Sequence, residues 1–458
     1  MPATDQIDAF VMDGLERLGI PGASIGVVQQ DKVVHLRGFG RIGRAGEPVT
    51  PQTPFQLASL TKSFTALVVL QLAAEGHLSI DDPVVAHMPY FQTADPRASR
   101  QITIRHLLNH RSGITTLDGN RYQRTRYRGA DATGRAVRRL ASAKLQAPPG
   151  ARFQYSNANY ATLAHLIETL EQEPLEDVLE RRVFSPLGMA NTYAQVPRKP
   201  VAAPAKGHLQ WFGLAREDHI IAGRMMMGAG GVVSSAEDMA KYLIALSAQD
   251  PRIVPQAFAD AWQNDGANAY IFGWHRDTLD RRRIMFHDGA NPGFRSVMMY
   301  DTAARKGAVF LMNMSGTLEG NLHYGAVQYA LGQPPVDISP LKIFANMLWG
   351  SAILLITLVM AFGLSIQNLW IRRAAPWQTG TLRRGIAVVL PSLTLAGFAH
   401  SLWFQVPRSF GINFAGASLF YPDLGALMLA QIVVAMVWIA ARTALLLQRL
   451  KNQEINAQ

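Results

Sequence analysis

Ser59-Leu60-Thr61-Lys62 sets a hydroxyl and an amine three residues apart, ahead of an almost wholly apolar run from Phe64 to Ala74. Positions three apart share a helix face, so the two groups can meet. A helix N-terminus helps stabilise an alkoxide, and a lysine among apolar side chains loses proton affinity and becomes usable as a base. That is the chemistry of an activated serine nucleophile. The spacing alone is weak evidence, because Ser-x-x-Lys arises about once by chance in a chain of this length. Ser339-Pro340-Leu341-Lys342 is such a copy, without supporting context. A second element is Tyr155-Ser156-Asn157, between PPGARFQ and the helix-like ANYATLAHLIETLE. A phenol is a poor base in water, but a phenolate beside Lys62 would be favoured by the positive charge and could take the Ser59 proton. The third is His287-Asp288-Gly289, which ends the strand-like RRIMF and leads into ANPGFRS. A glycine there lets a substrate backbone lie alongside, and the amide of Ala290 could donate to an oxyanion. His323-Tyr324-Gly325 repeats the pattern in a predicted helix, where there is no strand edge. Taken singly, Tyr155 also reads as a buried phenol capping a turn, and His287 as an ordinary core histidine.

Elements must bring these residues together. An N-terminal helix precedes GASIGVVQQ and VVHLRGFG, β-rich runs separated by Asp31-Lys32 that make a hairpin. RIMFHDG, RSVMMYD and GAVFLMN supply three more short strands late in the region. FTALVVLQLAAEG and ATLAHLIETLE are helical segments between them. The expected class is α/β: one antiparallel sheet built from both ends of the domain, flanked by helices, with a mostly helical subdomain between.

In order and spacing, Ser-x-x-Lys, Tyr-x-Asn and His-x-Gly resemble the three motifs of the class C β-lactamase, penicillin-binding-protein and related esterase and D-peptidase family. FQLASLTKSFTALVVLQLAAEGHLSIDDPV, ITIRHLLNHRSGI, PPGARFQYSNANYATLAHLIE, GAGGVVSSAEDMAKYL and HDGANPGFRS are similar to the same family, and the resemblance covers roughly residues 8 to 332. It implies Ser59 as nucleophile, Lys62 and Tyr155 as the proton-transfer pair, and Asn157 as a substrate-positioning group. It also implies the amides of Ser59 and Ala290, beside Gly289, as the oxyanion hole. His287 stands where true class C β-lactamases have lysine. That departure weakens β-lactam hydrolysis and favours the esterase or D-amino-acid peptidase branches. Arg295 is a candidate partner for a substrate carboxylate, or a surface arginine. No metal or organic cofactor is implied.

Two further patterns read as structure. His106 and His110 are four apart, as a metal pair on a helix would be, but no His-Glu-x-x-His glutamate accompanies them. GAGG at Gly228 to Gly231 lacks the lysine of a phosphate loop and reads as a turn feeding a helix capped by Ser234 or Ser235.

The 458 residues are 48% hydrophobic and 17% charged, enough for a large core, and carry a formal charge of +11. Arginine clusters at 121–128 and 281–283 bring no nucleic-acid motif, so a solvated basic face is the reading and no nucleic-acid partner is expected. The absence of cysteine excludes disulfides, thiolate metal sites and a lipidated N-terminal cysteine. After residue 332 the composition turns apolar. The expected organisation is a hydrolase-like domain at 1–332, a Pro-containing linker at 333–342, three transmembrane helices within 343–450 (about 343–366, 385–406 and 424–446) and a tail at 451–458. Arg372, Arg373, Arg383 and Arg384 crowd the first connecting loop, while Arg442, Arg449 and Lys451 follow the third helix. Positive loops stay cytoplasmic, which predicts a multi-pass inner-membrane protein with its large domain on the periplasmic or extracellular side and its C-terminus inside. The first twenty residues hold acids and no apolar core, so this orientation predicts a start further upstream.

The layout is similar to that of prodrug-activating D-peptidases. The expected partners are a small-molecule or peptide substrate and the lipid bilayer, and oligomeric state is left open. The expected activity is amide or ester hydrolysis, on a D-amino-acid-containing peptide. A β-lactamase, and a non-catalytic penicillin-binding-type sensor signalling through the helices, are the alternatives.

Overall fold

The computed structural model describes residues 2–43, 46–121, 127–218, 223–263, 269–279, 281–374 and 381–457. Residues 122–126 of the first arginine cluster, and 375–380 of the first connecting loop, lie outside them. The chain divides into two compact units, Met1–Leu341 and Lys342–Gln458.

In the first unit, α1 (Thr4–Leu18) ends at Gly19, whose φ of 64° is the left-handed cap that glycine adopts freely. β1 (Gly22–Gln29) and β2 (Lys32–Gly40) form the expected hairpin. Its two-residue turn is Gln30-Asp31, with φ of 48° and 61°; positive values at both positions match the right-handed twist of the flanking strands. β3 (Tyr270–Ile271), β4 (Trp274–Leu279), β5 (Arg282–Asn291), β6 (Phe294–Asp301) and β7 (Lys306–Met312) complete a seven-stranded sheet. Its order is β2-β1-β7-β6-β5-β4-β3, and every pairing is antiparallel. Ala23 stands opposite Met312, so the two ends of the unit meet in mid-sheet as expected.

The period-2 alternation of the strands feeds two cores. Ile25, Val27, Val297, Met299, Phe310 and Met312 pack with α1 and with a later helix, Leu322–Ala330. Met298, Tyr300, Val309 and Leu311 join the larger core of the helical region. There α2 (Thr61–Ala74) is buried on nearly every side, as its unbroken apolar sequence requires. α3 (Asn157–Glu171) packs beside it, and α4 (Met227–Gly230) is the short turn formed by GAGG. α5 (Ala236–Ser247) is capped by Ser235, whose hydroxyl accepts from the Asp238 N–H. Gly26 allows α5 onto the sheet: a β-carbon there would crowd the carbonyl of Ala236. The stretch expected to be a linker packs onto this unit, with Ile338 buried and its carbonyl accepting from Asn321 N–H at 3.1 Å.

In the second unit, α6 (Lys342–Ile371) and α8 (Pro422–Ala457) contain the two described helices long and apolar enough to cross a bilayer. At 1.5 Å per residue, the thirty residues of α6 span about 45 Å. Gln431 of α8 donates to the carbonyl and hydroxyl of Ser351 on α6, at 2.6 and 2.9 Å. The sequence led us to expect three spanning helices. The second apolar run lies in α7 (Thr381–His400), which passes through Pro391 and continues by a π-helical turn at Ser401–Gln405 into a short helix, Val406–Ser409. Among the described residues, only α6 and α8 meet the length and composition of a span.

Candidate active site

Phe55–Gln56 is a short strand paired with Val232–Ser234, and it delivers the chain into a tight turn: the N–H of Leu57 donates to Val232. Ala58 then takes a left-handed φ of 48°, an uncommon conformation for a residue with a β-carbon. Ser59 follows in a single 3-10 turn, Ala58–Leu60, that leads directly into α2. Its hydroxyl therefore stands at a helix N-terminus.

Three groups meet there. The Lys62 amine lies 2.9 Å from Ser59 Oγ, and the Tyr155 hydroxyl donates to the same oxygen at 2.9 Å. Lys62 also donates to the carbonyl of Ala229 at 2.7 Å, and Nζ sits 4.9 Å from the Tyr155 ring centroid. Burial drives the Lys62 pKa well below the ordinary lysine value, opposed by the charge of Asp288. The amine is thereby held toward its neutral, basic form.

Tyr155 departs from the sequence-based expectation of a phenolate. Burial raises its pKa far above the usual tyrosine value, against the lowering effect of the Ser59 contact. As a phenol, Tyr155 is the hydrogen-bond donor to Ser59. Its carbonyl is fixed by Thr116 Oγ1 at 2.6 Å. Asn157 is buried at the start of α3; its amide donates to Asn120 at 2.8 Å, while its Oδ1 has no partner among the described residues.

His287 lies on β5 with both ring nitrogens engaged. Nδ1 donates to the carbonyl of Asp288 at 2.6 Å, which leaves Nε2 to accept from Tyr270 at 3.1 Å. Burial, with His275 and Lys62 nearby, depresses its pKa well below the ordinary imidazole value, so it brings no charge. Its ring centroid is 6.2 Å from that of Tyr155. Ligand atoms of His275, His287 and Asp288 fall within 4.8 Å of one another, but the existing bonds of His287 leave no nitrogen lone pair open to a cation.

Gly289 also answers a packing requirement. A β-carbon there would collide with the carbonyl of Leu57 and the hydroxyl of Ser296, so the missing side chain admits the nucleophile turn. Ser296 Oγ donates to that same Leu57 carbonyl at 2.7 Å. Ala290 follows on β5. β4 pairs with β5 only as far as Phe286, so beyond it this edge has no strand neighbour among the described residues. Arg295, opposite Ala290 on β6, is ion-paired with the buried Glu319, so its cation already has a carboxylate from the chain itself.

His106 and His110 do not share a helix face: the helix Ile104–Leu108 ends between them, and His110 has a left-handed φ of 54°. His106 accepts from the Thr103 N–H, whereas His110 lies against Tyr155, with ring centroids 4.3 Å apart. Sequence reasoning missed Ala229, which acts through a backbone carbonyl and so leaves no residue-type signal. It also missed Tyr270 and Asn120, which stand far from the motifs in sequence.

Comparison with known proteins agrees with this fold. The β-lactamase family model matches residues 7–330. Among curated proteins, Protein flp of Staphylococcus aureus strain N315 is 28% identical over 338 residues, covering 68% of this chain. The chain spans 63% of the length of that relative. Among solved structures, the octameric penicillin-binding protein homologue from Pyrococcus abyssi is 25% identical, covers 76% of this chain and 81% of its own, and gives a TM-score of 0.61. D-amino acid amidase from Ochrobactrum anthropi shares the fold, with 23% identity, coverage of 71% and 95%, and a TM-score of 0.59.

Proposed function

Because the chain belongs to the β-lactamase family, we propose that it is a serine hydrolase in which Ser59 attacks an amide or ester carbonyl. The observation that carries this reading is the meeting of the Lys62 amine and the Tyr155 hydroxyl on Ser59 Oγ, each at 2.9 Å. The neutral amine accepts the serine proton as the Oγ–C bond forms. Collapse of the tetrahedral intermediate expels the amine or alcohol, which takes its proton from Lys62 by way of Tyr155. Water then attacks the acyl-enzyme, gives a proton to Lys62 and releases the acid, and the proton returns to Ser59. The amides of Ser59 and Ala290 hold the oxyanion, each such donor being worth about 10²–10³ in rate. Asn157 offers its Oδ1, without a partner among the described residues, to a substrate N–H.

An uncharged His287, and an Arg295 already paired with Glu319, give little to hold the carboxylate of a β-lactam. This favours peptides and esters, and a D-amino-acid-containing peptide is the substrate class we propose. We further propose that the Lys342–Gln458 unit tethers the enzyme to the inner membrane with the hydrolase unit outside the cytoplasm. The exposed apolar side chains of α6, among them Ile353, Ile356, Met360 and Leu364, support insertion.

Covalent labelling with a fluorophosphonate tests the nucleophile. Labelling should vanish in Ser59→Ala, and undiminished labelling of that variant would overturn the assignment. A panel of D-aminoacyl amides, simple esters and a chromogenic cephalosporin then ranks the substrate classes, with turnover of the first two expected to exceed the third.

A further inference from the structure

We infer that His110 is a positioning residue that sets the Tyr155 hydroxyl on Ser59 by holding the backbone on either side of it; this rests on the Ser59 reading above. Its carbonyl accepts from the N–H of Gln154 at 2.7 Å. Its Nδ1 accepts from the N–H of Ser156 at 3.2 Å and from the Asn159 amide at 3.0 Å. The residues immediately before and after Tyr155 are thus both tied to one side chain and its backbone. Between those ties the imidazole lies against the phenol ring, 4.3 Å between centroids and 39° between planes. His110 makes this double hold from a left-handed backbone, with a φ of 54°.

The bonds dictate the tautomer. Asn159 Oδ1 accepts from Ser112 Oγ at 2.6 Å, so its amide nitrogen is the atom facing His110. Two donors converge on Nδ1, which must carry a lone pair, and the ring proton resides on Nε2. A second proton, on Nδ1, would point at both donors and break the hold. The charged and titratable groups around the ring oppose that proton or are neutral. Burial lowers the His110 pKa most, and a proton on Lys62, His287 or His275 would lower it further, while Tyr155, Tyr160 and Tyr270 pack against it as rings. Tyr155 therefore keeps its place across the pH range in which an exposed histidine titrates.

The test uses the full-length chain and the second-order rate of fluorophosphonate labelling at Ser59. His110→Phe retains a ring but no acceptor; His110→Asn retains an acceptor and tolerates a left-handed backbone. Labelling should fall 10- to 100-fold in His110→Phe, with most of it restored in His110→Asn. Combined with Tyr155→Phe, the His110→Phe change should cost no further rate, since both act through one hydroxyl. Additive losses in the double variant, or a parental rate in His110→Phe, would overturn the inference. Nitrogen-resolved NMR of the imidazole adds a readout independent of activity and of any substitution: a neutral Nε2–H tautomer supports the hold, and an Nδ1–H or doubly protonated ring defeats it. A parent chain that resists labelling, or a Ser59→Ala chain that accepts it, would instead reject the nucleophile assignment.

Discussion

A lysine that is to receive a proton must first release the one it carries, and burial, rather than a neighbouring cation, moves Lys62 toward that state. The acid limb of kcat/KM should therefore follow its depressed pKa: activity is lost as pH falls through that value and the amine protonates. The stability effect has the same direction. The unfolded chain protonates this lysine below about 10.4 while the folded chain does not, so stability declines as pH drops from there toward the folded pKa and is flat below it. Urea midpoints across pH, compared with Lys62→Met, measure this contribution. Lys62→Arg keeps a cation that cannot deprotonate, and turnover should fall by about 10²–10⁴. Tyr155→Phe should lose a similar factor through the missing proton bridge. A Tyr155→Phe variant as fast as the parent would remove that hydroxyl from proton transfer.

Between elements, the contact to test is the one that joins β5 to the turn before Ser59. Gly289→Ala forces a β-carbon against the Leu57 carbonyl, and overpacking of this kind costs about 1–3 kcal/mol. A lowered thermal midpoint together with slowed fluorophosphonate labelling is the expected outcome. This junction also marks where sequence reasoning stops. The spacing of Ser59 and Lys62 is a local helical property and was legible; the hairpin was legible too, though its turn is Gln30-Asp31, one residue before the Asp31-Lys32 expected, with Lys32 opening β2. The late strands were legible as well, since their alternation faces two cores. The purpose of Gly289 was not, because only the packed structure shows what fills the space of its absent side chain. The same holds for the Ala229 carbonyl on Lys62, the Glu319 partner of Arg295 and the protonation of Tyr155. Each is set by neighbours distant in sequence, and burial itself is a tertiary quantity.

For the molecule as a whole, the apolar second unit sets the strongest expectation. If α6 lies in a bilayer, the full chain should remain with membranes after an alkaline wash. Ile356→Arg, at an exposed position midway along α6, should then weaken insertion by about 2.5–3.5 kcal/mol, measurable as a reduced inserted fraction. The pairing of β1 with β7 has a separate outcome in time. Ala23 meets Met312 only after hundreds of intervening residues have been made, and such distant pairings form slowly. The turn bearing Ser59 likewise waits for Gly289 to arrive beneath it. A growing polypeptide thus carries its reactive residues through most of synthesis without a working cleft, and pulse-labelled chains should become probe-reactive only after a lag that closing the sheet brings to an end.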